Sequence, residues 1–412
     1  MIATRGLRRR VLAGRVSRPC VAALLILLSV MIAQAAIDPR TLPVSSDLAR
    51  RLQTHVQYLA SPELQGRKPG TPGNRKAADY LAARFRELGL APLPSLNGYR
   101  QPVSPALGDN LIAVRPAATG SSSRWLLLGA HYDHLGGVYL GADDNASAVA
   151  ILLETARTLP PLDHPVLFVA FNAEEPPYIR TPSMGSQYFT DHLPPEIGAP
   201  SNLQAVVIMD LMGGVHWDPL KDVMFTAGAE QSPGLYRRVK ESAAPHLTVL
   251  PVGMHLVEEI PLLGQVSFSD YDAFRNVRVP FVFLSSGRTP RYHQPTDLPD
   301  TLHYERMAAT VTWLHSLLSG IDRDRQPYRV EPGRIEFADE VASLRPIVER
   351  AAAWETRIPG TSPMSFWKLQ RDRDWLQTVN PASPAPDDIR RLERTSIRMQ
   401  CLLADFPGCF LF

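Results

Sequence analysis

Two histidines and a set of carboxylates share one placement along the 412-residue sequence: each follows an apolar run or sits in the loop just beyond one. WLLLGA leads into His131-Tyr132-Asp133, VLFVAFNA into Glu174-Glu175, and AVVIM into Asp210. VPFVFLSSG leads through a short loop to His293, while GADDNAS, carrying Asp143 and Asp144, lies between the His131 run and the next helix. Imidazoles mixed with carboxylates suit borderline-hard divalent ions, zinc above all. Two such ions about 3.5–4 Å apart need one anionic bridge plus separate ligands, and an aspartate with one oxygen toward each ion meets that need. Asp133, two residues after His131, is placed to accept the second imidazole N–H and so fix its tautomer. Glu174 and Glu175 point apart in an extended chain, so one can bind metal while the other serves as general base toward a water. Taken singly these residues are commonplace: a lone histidine is usually packed or at the surface, and paired acids usually form turns or caps. Their ordered appearance at successive strand ends is what points to a metal site.

The elements that must position them are legible from periodicity. Ser46 opens a helical pattern with Leu48, Leu52, Val56 and Leu59 on one face, followed by a Gly/Pro-rich loop from Pro62. A second helix carries Ala78, Leu81, Phe85 and Leu88, with Gly89 placed to end it. Short apolar runs at 110–114, 125–129, 166–171, 205–209 and 279–284 then alternate with helical stretches at 146–158 and 232–241. A further amphipathic helix carries Met307, Val311, Leu314 and Leu318. Near-continuous apolar strands separated by helices predict a three-layer α/β/α sandwich around a mostly parallel mixed sheet. Ligands of open parallel sheets bind beyond the carboxyl ends of the strands, so the candidate residues are expected on one edge. Residues 321–412 lack strand-like runs but hold Trp354, Trp367 and Trp375, with helical periodicity near 339–354 and 387–404. They read as a helical C-terminal extension packed on a catalytic domain spanning 36–320.

At these residues the sequence resembles the zinc aminopeptidases of metallopeptidase family 28, the aminopeptidase/transferrin-receptor-like group. The resemblance runs over residues 48–318, through LASPELQGRKPGTPGNRKAADYLAARFRELGL, AHYDHLGG, GADDNASA, FVAFNAEE, VIMDLMGG, SFSDYDAF and YHQPTD in that order. It implies two zinc ions, with His131 and Asp210 on one, Glu175 and His293 on the other, and Asp144 bridging them. It also implies Glu174 as general base, a cis peptide between Asp144 and Asn145, and peptides as substrates. The PPYIRTPSM stretch between Glu175 and Gly185-Ser186 is longer than in the simpler members, so a remodelled pocket wall is expected. Ala148 stands where a glycine is usual.

An aminopeptidase is favoured over three rivals. A carboxypeptidase needs a cation for the terminal carboxylate, and Arg180, Arg288 and Arg291 lie in nearby loops. A glutaminyl cyclase keeps similar ligands. An inactive receptor module tends to lose ligands, whereas every position is filled here. No HExxH, G-x-S-x-G or P-loop pattern is present.

Residues 1–35 contain six arginines and no acid, an apolar run over 21–33 and Ala33-Gln34-Ala35, the layout of a secretory signal peptide. An exported protein, periplasmic or secreted, is expected, without membrane insertion once the signal is removed. Removing the segment leaves 37 basic residues against 41 acidic ones, so the formal +2 of the whole chain becomes −4. Neither value supports nucleic-acid binding. Cleavage also removes Cys20, leaving Cys401 and Cys409, which an oxidising compartment permits to pair.

Overall fold

Alternating strand side chains divide the interior into two cores. In β3 (Trp125–His131), Leu126, Leu128 and Ala130 enter one core, with Val166, Phe168 and Ala170 of β4 (Val166–Phe171). Leu127 enters the other, with Leu167, Val169 and Phe171. Both faces are covered by helices, which is why these strands read as unbroken apolar runs. The computed structural model describes residues 46–119, 122–243, 245–260 and 264–405; the expected signal segment and Cys409 lie outside the described residues. Cys401 is disulfide-bonded.

The remaining strands are β1 (Arg100–Ser104), β2 (Gly108–Arg115), β5 (Leu203–Met209), β6 (Val223–Ala227), β7 (Thr248–Pro251) and β10 (Phe281–Ser285), with β8 (Glu259–Ile260) and β9 (Gly264–Gln265) forming a separate pair. The eight-stranded sheet runs β1-β2-β4-β3-β5-β10-β6-β7. Its four central strands, β4, β3, β5 and β10, are mutually parallel. The reversals lie outside them, at β1/β2, β2/β4 and β10/β6. The expected mixed sandwich is therefore present, with the strands that carry the candidate residues forming its central parallel block and β6 and β7 a second parallel pair at one edge. Strands β1, β6 and β7 escape the sequence reading because they are short. Two of them, edge strands β1 and β7, also contain proline, which edges tolerate.

One face is covered by α1 (Asp47–Leu59), α2 (Pro72–Glu87), α3 (Ala148–Thr158), α5 (Pro233–Glu241) and α8 (Tyr304–Asp322). Ser46 caps α1 by accepting the Ala49 N–H, and Ala49, Leu52, Val56 and Leu59 form its buried stripe. Helix α2 ends in a paired-hydrogen-bond stop: Leu90 N–H reaches the Phe85 carbonyl and Gly89 N–H that of Arg86, with Gly89 at φ +68°.

The opposite face carries α4 (Gly185–Asp191), α6 (Met254–Glu258) and α7 (Tyr271–Asn276), together with α9 (Phe337–Ala351), α10 (Pro363–Thr378) and α11 (Pro386–Leu403). The last three form the C-terminal helical region. Phe337, Val341, Leu344, Val348, Leu369, Leu376 and Leu392 share one core with Ile208, Phe283 and Phe274. The region thus completes a layer of the sandwich. Helix α10 was not evident from periodicity because Leu369 and Leu376, seven residues apart, are its fully buried apolar positions.

Candidate metal centre

The four parallel strands deliver the candidate residues to one edge. β3 ends on His131, β4 is followed by Glu174-Glu175, β5 by Asp210, and β10 by the loop to His293. Three of these exits turn through left-handed backbone at non-glycine residues: Ala173 (φ 56°) before Glu174, Leu211 (φ 57°) after Asp210, and His293 itself (φ 56°). Such conformations cost roughly 1–2 kcal/mol each, and here they aim the flanking side chains inward.

Asp144 stands at the middle. Its Oδ1 is 3.3 Å from His131 Nε2, and its Oδ2 is 3.2 Å from His293 Nε2. On one side His131 Nε2 also lies 3.5 Å from Asp210 Oδ1 and 3.8 Å from Glu174 Oε2. On the other, His293 Nε2 lies 3.1 Å from Glu175 Oε2. All of these groups are buried except His293, which is a quarter exposed. The Asp144–Asn145 peptide is cis.

The surrounding hydrogen bonds fix this arrangement, and one differs from expectation. The Asp133 carboxylate lies 3.7 Å from His131 Nδ1, beyond hydrogen-bond range; the carbonyl of Asp133 is nearer, at 3.3 Å. Its two carboxylate oxygens instead accept the Glu174 and Glu175 N–H groups at 3.1 and 3.2 Å. The carboxylate therefore orients the glutamate pair, because two backbone donors at the end of β4 are otherwise unsatisfied. Asp143, whose sequence context suggested a turn or cap, is buried and accepts the Gly213 and Gly214 N–H groups at 2.7 and 2.8 Å. A Cβ at Gly214 would stand 2.3 Å from Asp143 Oδ2, so this close approach needs glycine. Asp297 accepts the N–H groups of Asp143 and Asp144 at 2.8 and 3.1 Å, and Asn145 donates to the Met209 carbonyl at the end of β5.

The profile of Peptidase family M28 matches residues 110–317, half of the chain. The chain belongs to peptidase family M28. Among relatives of this M28 peptidase, the uncharacterized protein YfbL of Escherichia coli is 26% identical over 292 residues, covering 65% of this chain and 87% of that one. Aminopeptidase YwaD of Bacillus subtilis is 30% identical over 137 residues, covering 32% of this chain and 27% of its own. The solved structure of BSAP, a zinc aminopeptidase from Bacillus subtilis, shares the fold with a TM-score of 0.51 at 15% identity, covering 68% of this chain and 95% of that one.

In this M28 peptidase two clusters have the spacing of cation sites: His131, Asp144 and Asp210, and His134, Asp144 and Glu175. His134 did not stand out in the sequence. It is fully buried with Nδ1 2.6 Å from Glu175 Oε1, so Glu175 is bracketed by His134 on one oxygen and His293 on the other. The signal available was its place in His-Tyr-Asp-His, one residue past Asp133. His131 Nε2, His134 Nε2, His293 Nε2, Asp210 Oδ1 and Glu174 Oε1 have no hydrogen-bond partner among the described residues. Buried polar atoms of this kind require partners, and this donor set fits divalent cations.

The electrostatics agree. Burial pushes the Glu174 carboxyl well above its usual range; His131 pulls it down, and Glu175 and Asp210 push it further up. Burial opposes a charged His131, yet Glu174, Asp133, Asp144 and Asp210 together hold its pKa well above the usual value. Concentrated negative charge is thus the dominant property of this edge.

The 176–184 loop that follows Glu175 packs Tyr178 against Val103, Leu107 and Ala173 and contains a cis Pro176–Pro177 bond. Ala148 is fully buried at the start of α3.

Proposed function

We propose that this M28 peptidase is an exported two-zinc aminopeptidase. The observation that carries the reading is that Asp144 is shared by two ligand clusters while Glu174, buried beside them, keeps Oε1 without a partner among the described residues. His131 and Asp210 would hold one ion, Glu175 and His293 the other, and Asp144 would bridge. Two divalent ions balance the four negative charges of Asp144, Glu174, Glu175 and Asp210. When bound, zinc polarises a scissile carbonyl and acidifies a water. Glu174 takes the proton from the attacking water and returns it to the leaving nitrogen. Burial raises its pKa, the direction that favours holding the proton between the two steps. Asp133 keeps Glu174 on station by holding its backbone N–H. Ser269 orients Asp210 by donating to Oδ2 at 2.9 Å. The negative field of the cluster favours the ammonium of a free N-terminus. The names of YwaD and BSAP support aminopeptidase activity, and residues 1–35 support export.

The test combines metal content with hydrolysis of matched free and N-acetylated peptides. Two zinc ions per chain, chelator-sensitive turnover and cleavage of the free peptide alone are expected. Chelator-insensitive hydrolysis overturns the metal mechanism, and equal cleavage of the N-blocked peptide overturns the aminopeptidase assignment in favour of a carboxypeptidase. Glu174→Gln should keep its metal and lose about 10²–10⁴-fold in kcat.

A further inference from the structure

Beside the candidate metal centre Arg288 is held in place without a charge partner among the described residues. The Arg288 guanidinium carbon lies 5.0 Å from the ring centroid of Phe268 and 4.7 Å from that of Tyr292, so it is supported by two aromatic rings. Both supports are tied to the centre. The Tyr292 ring stacks on the His293 ring at 3.8 Å and 19°, and Phe268 precedes Ser269, the hydrogen-bond donor to Asp210. Arg288 is exposed, and no ion pair or hydrogen bond engages it among the described residues. Arg291, by contrast, reaches the Val215 carbonyl at 3.5 Å.

An arginine packed on aromatic rings has lost much of its side-chain freedom while its planar fork of donors stays available, which preorganises it for a carboxylate. The guanidinium lies no farther from the His293 imidazole than the 4.7 and 3.8 Å spacings through the Tyr292 ring laid end to end. At about 3.3–3.6 Å per extended residue, that is a reach of at most two to three residues. A ligand with its cationic end in the acidic cluster and an anionic end this far away is a short zwitterionic peptide.

We propose that Arg288 binds the C-terminal carboxylate of the substrate, so that the enzyme acts on di- and tripeptides. This rests on the peptidase reading above and adds the length and the charged terminus of the peptide. The test compares a tripeptide acid, its C-terminal amide, and an amide carrying glutamate at the third position. Each is assayed on the zinc-loaded wild type, Arg288→Met and Arg288→Lys. Binding is measured separately by calorimetry on Glu174→Gln, with and without Arg288→Met. The acid should be preferred over the amide by about 10- to 100-fold in kcat/KM, the scale of one charged hydrogen-bonded contact. Arg288→Met should abolish that preference, bringing the acid's kcat/KM to that of the amide in the same variant, and Arg288→Lys should restore it only in part. Equal rates for acid and amide in an active wild type overturn the inference and leave the peptidase reading intact. Rescue by the glutamate amide alone also overturns it, since Arg288 then reads a side chain. If no peptide is hydrolysed but the acid binds tighter through Arg288, the carboxylate contact stands, while the peptidase reading and with it action on di- and tripeptides fall. If neither hydrolysis nor Arg288-dependent binding is seen, both fall.

Discussion

His134 Nδ1 lies 2.6 Å from Glu175 Oε1, and both side chains are buried. Partners of this kind fix a ligand's orientation and raise its affinity for metal, and losing one typically costs 10–100-fold. His134→Ala is therefore expected to weaken zinc retention on the Glu175–His293 side while sparing the His131–Asp210 side. Zinc content during titration with a graded chelator should show one of two ions leaving about 10–100-fold more easily. Loss of both ions together, or of neither, would argue against a positioning role confined to Glu175.

Arg67 supports the same loops from below. It is fully buried and donates to the carbonyls of Tyr132, Leu59, Leu140 and Gly141 at 2.5–3.0 Å. Burial lowers its pKa, which Asp133 and Asp297 then support, to about 10, so it is charged at neutrality. Arg67→Met removes the donor from four buried carbonyls, of which that of Gly141 keeps the Ala146 N–H at 3.3 Å. The loss should be about 3–5 kcal/mol, the range for breaking a buried charged network. Arg67→Lys should recover little, because one ammonium cannot reach four carbonyls spread around a planar fork. Denaturant melts of both variants check this.

These two residues mark the boundary of what the sequence shows. His131, Asp210 and the glutamate pair were legible because each sits directly at the end of an apolar strand, and strand order in a parallel sheet brings such ends together. Asp144 and His293 needed the motif around them, since they lie in loops. Arg67 and Asp297 act through backbone groups from distant segments, and His134 through the Glu175 side chain 41 residues on, so no local period announces them. Asp133 was singled out correctly as a neighbour of His131, but its carboxylate turned to the amides after β4. Those donors, left unpaired where the sheet ends, outcompete the imidazole at 3.7 Å. The strands left unread, β1, β6 and β7, are four or five residues long, too short to establish alternation.

Glu154 provides a pH test away from the metal centre. This fully buried carboxylate in α3 accepts from Arg51 at 2.7 Å, Arg157 at 2.9 Å and His55 at 3.1 Å, joining α1 to α3. Burial alone would raise its pKa, but the donors, His55 foremost, bring it down to about 2. A carboxylate with a folded pKa below its unfolded value of about 4.3 contributes stability that is complete above that value. The contribution is lost as pH falls through the folded pKa. In thermal melts of metal-free protein, the Tm gap between wild type and Glu154→Gln should hold steady above about pH 5 and narrow toward pH 2. A gap independent of pH over that range would mean the carboxylate charge is not what joins the two helices.

The C-terminal helices can be tested by removal. The family match ends at residue 317, before α9, which would suit a dispensable appendage. The packing says otherwise. Phe337, Val341, Leu344, Val348, Leu369, Leu376 and Leu392 are all at or below 5% exposure and share a core with Phe274, Phe283 and Met254. His255 in α6 adds a polar tie, with its ring nitrogens 2.9 Å from Glu393 and 3.0 Å from Glu340. Each buried large apolar side chain is worth about 1.5–3 kcal/mol, so the seven together rival the whole stability of a typical domain, about 5–15 kcal/mol. A chain ending at residue 330 would uncover the part of one sheet face that α9 to α11 cover, without touching a proposed metal ligand. It is expected to be expressed as aggregate, or as a soluble species that binds a hydrophobic dye and lacks cooperative melting. A monomeric, cooperatively melting and active truncation would show instead that α9 to α11 are an accessory layer.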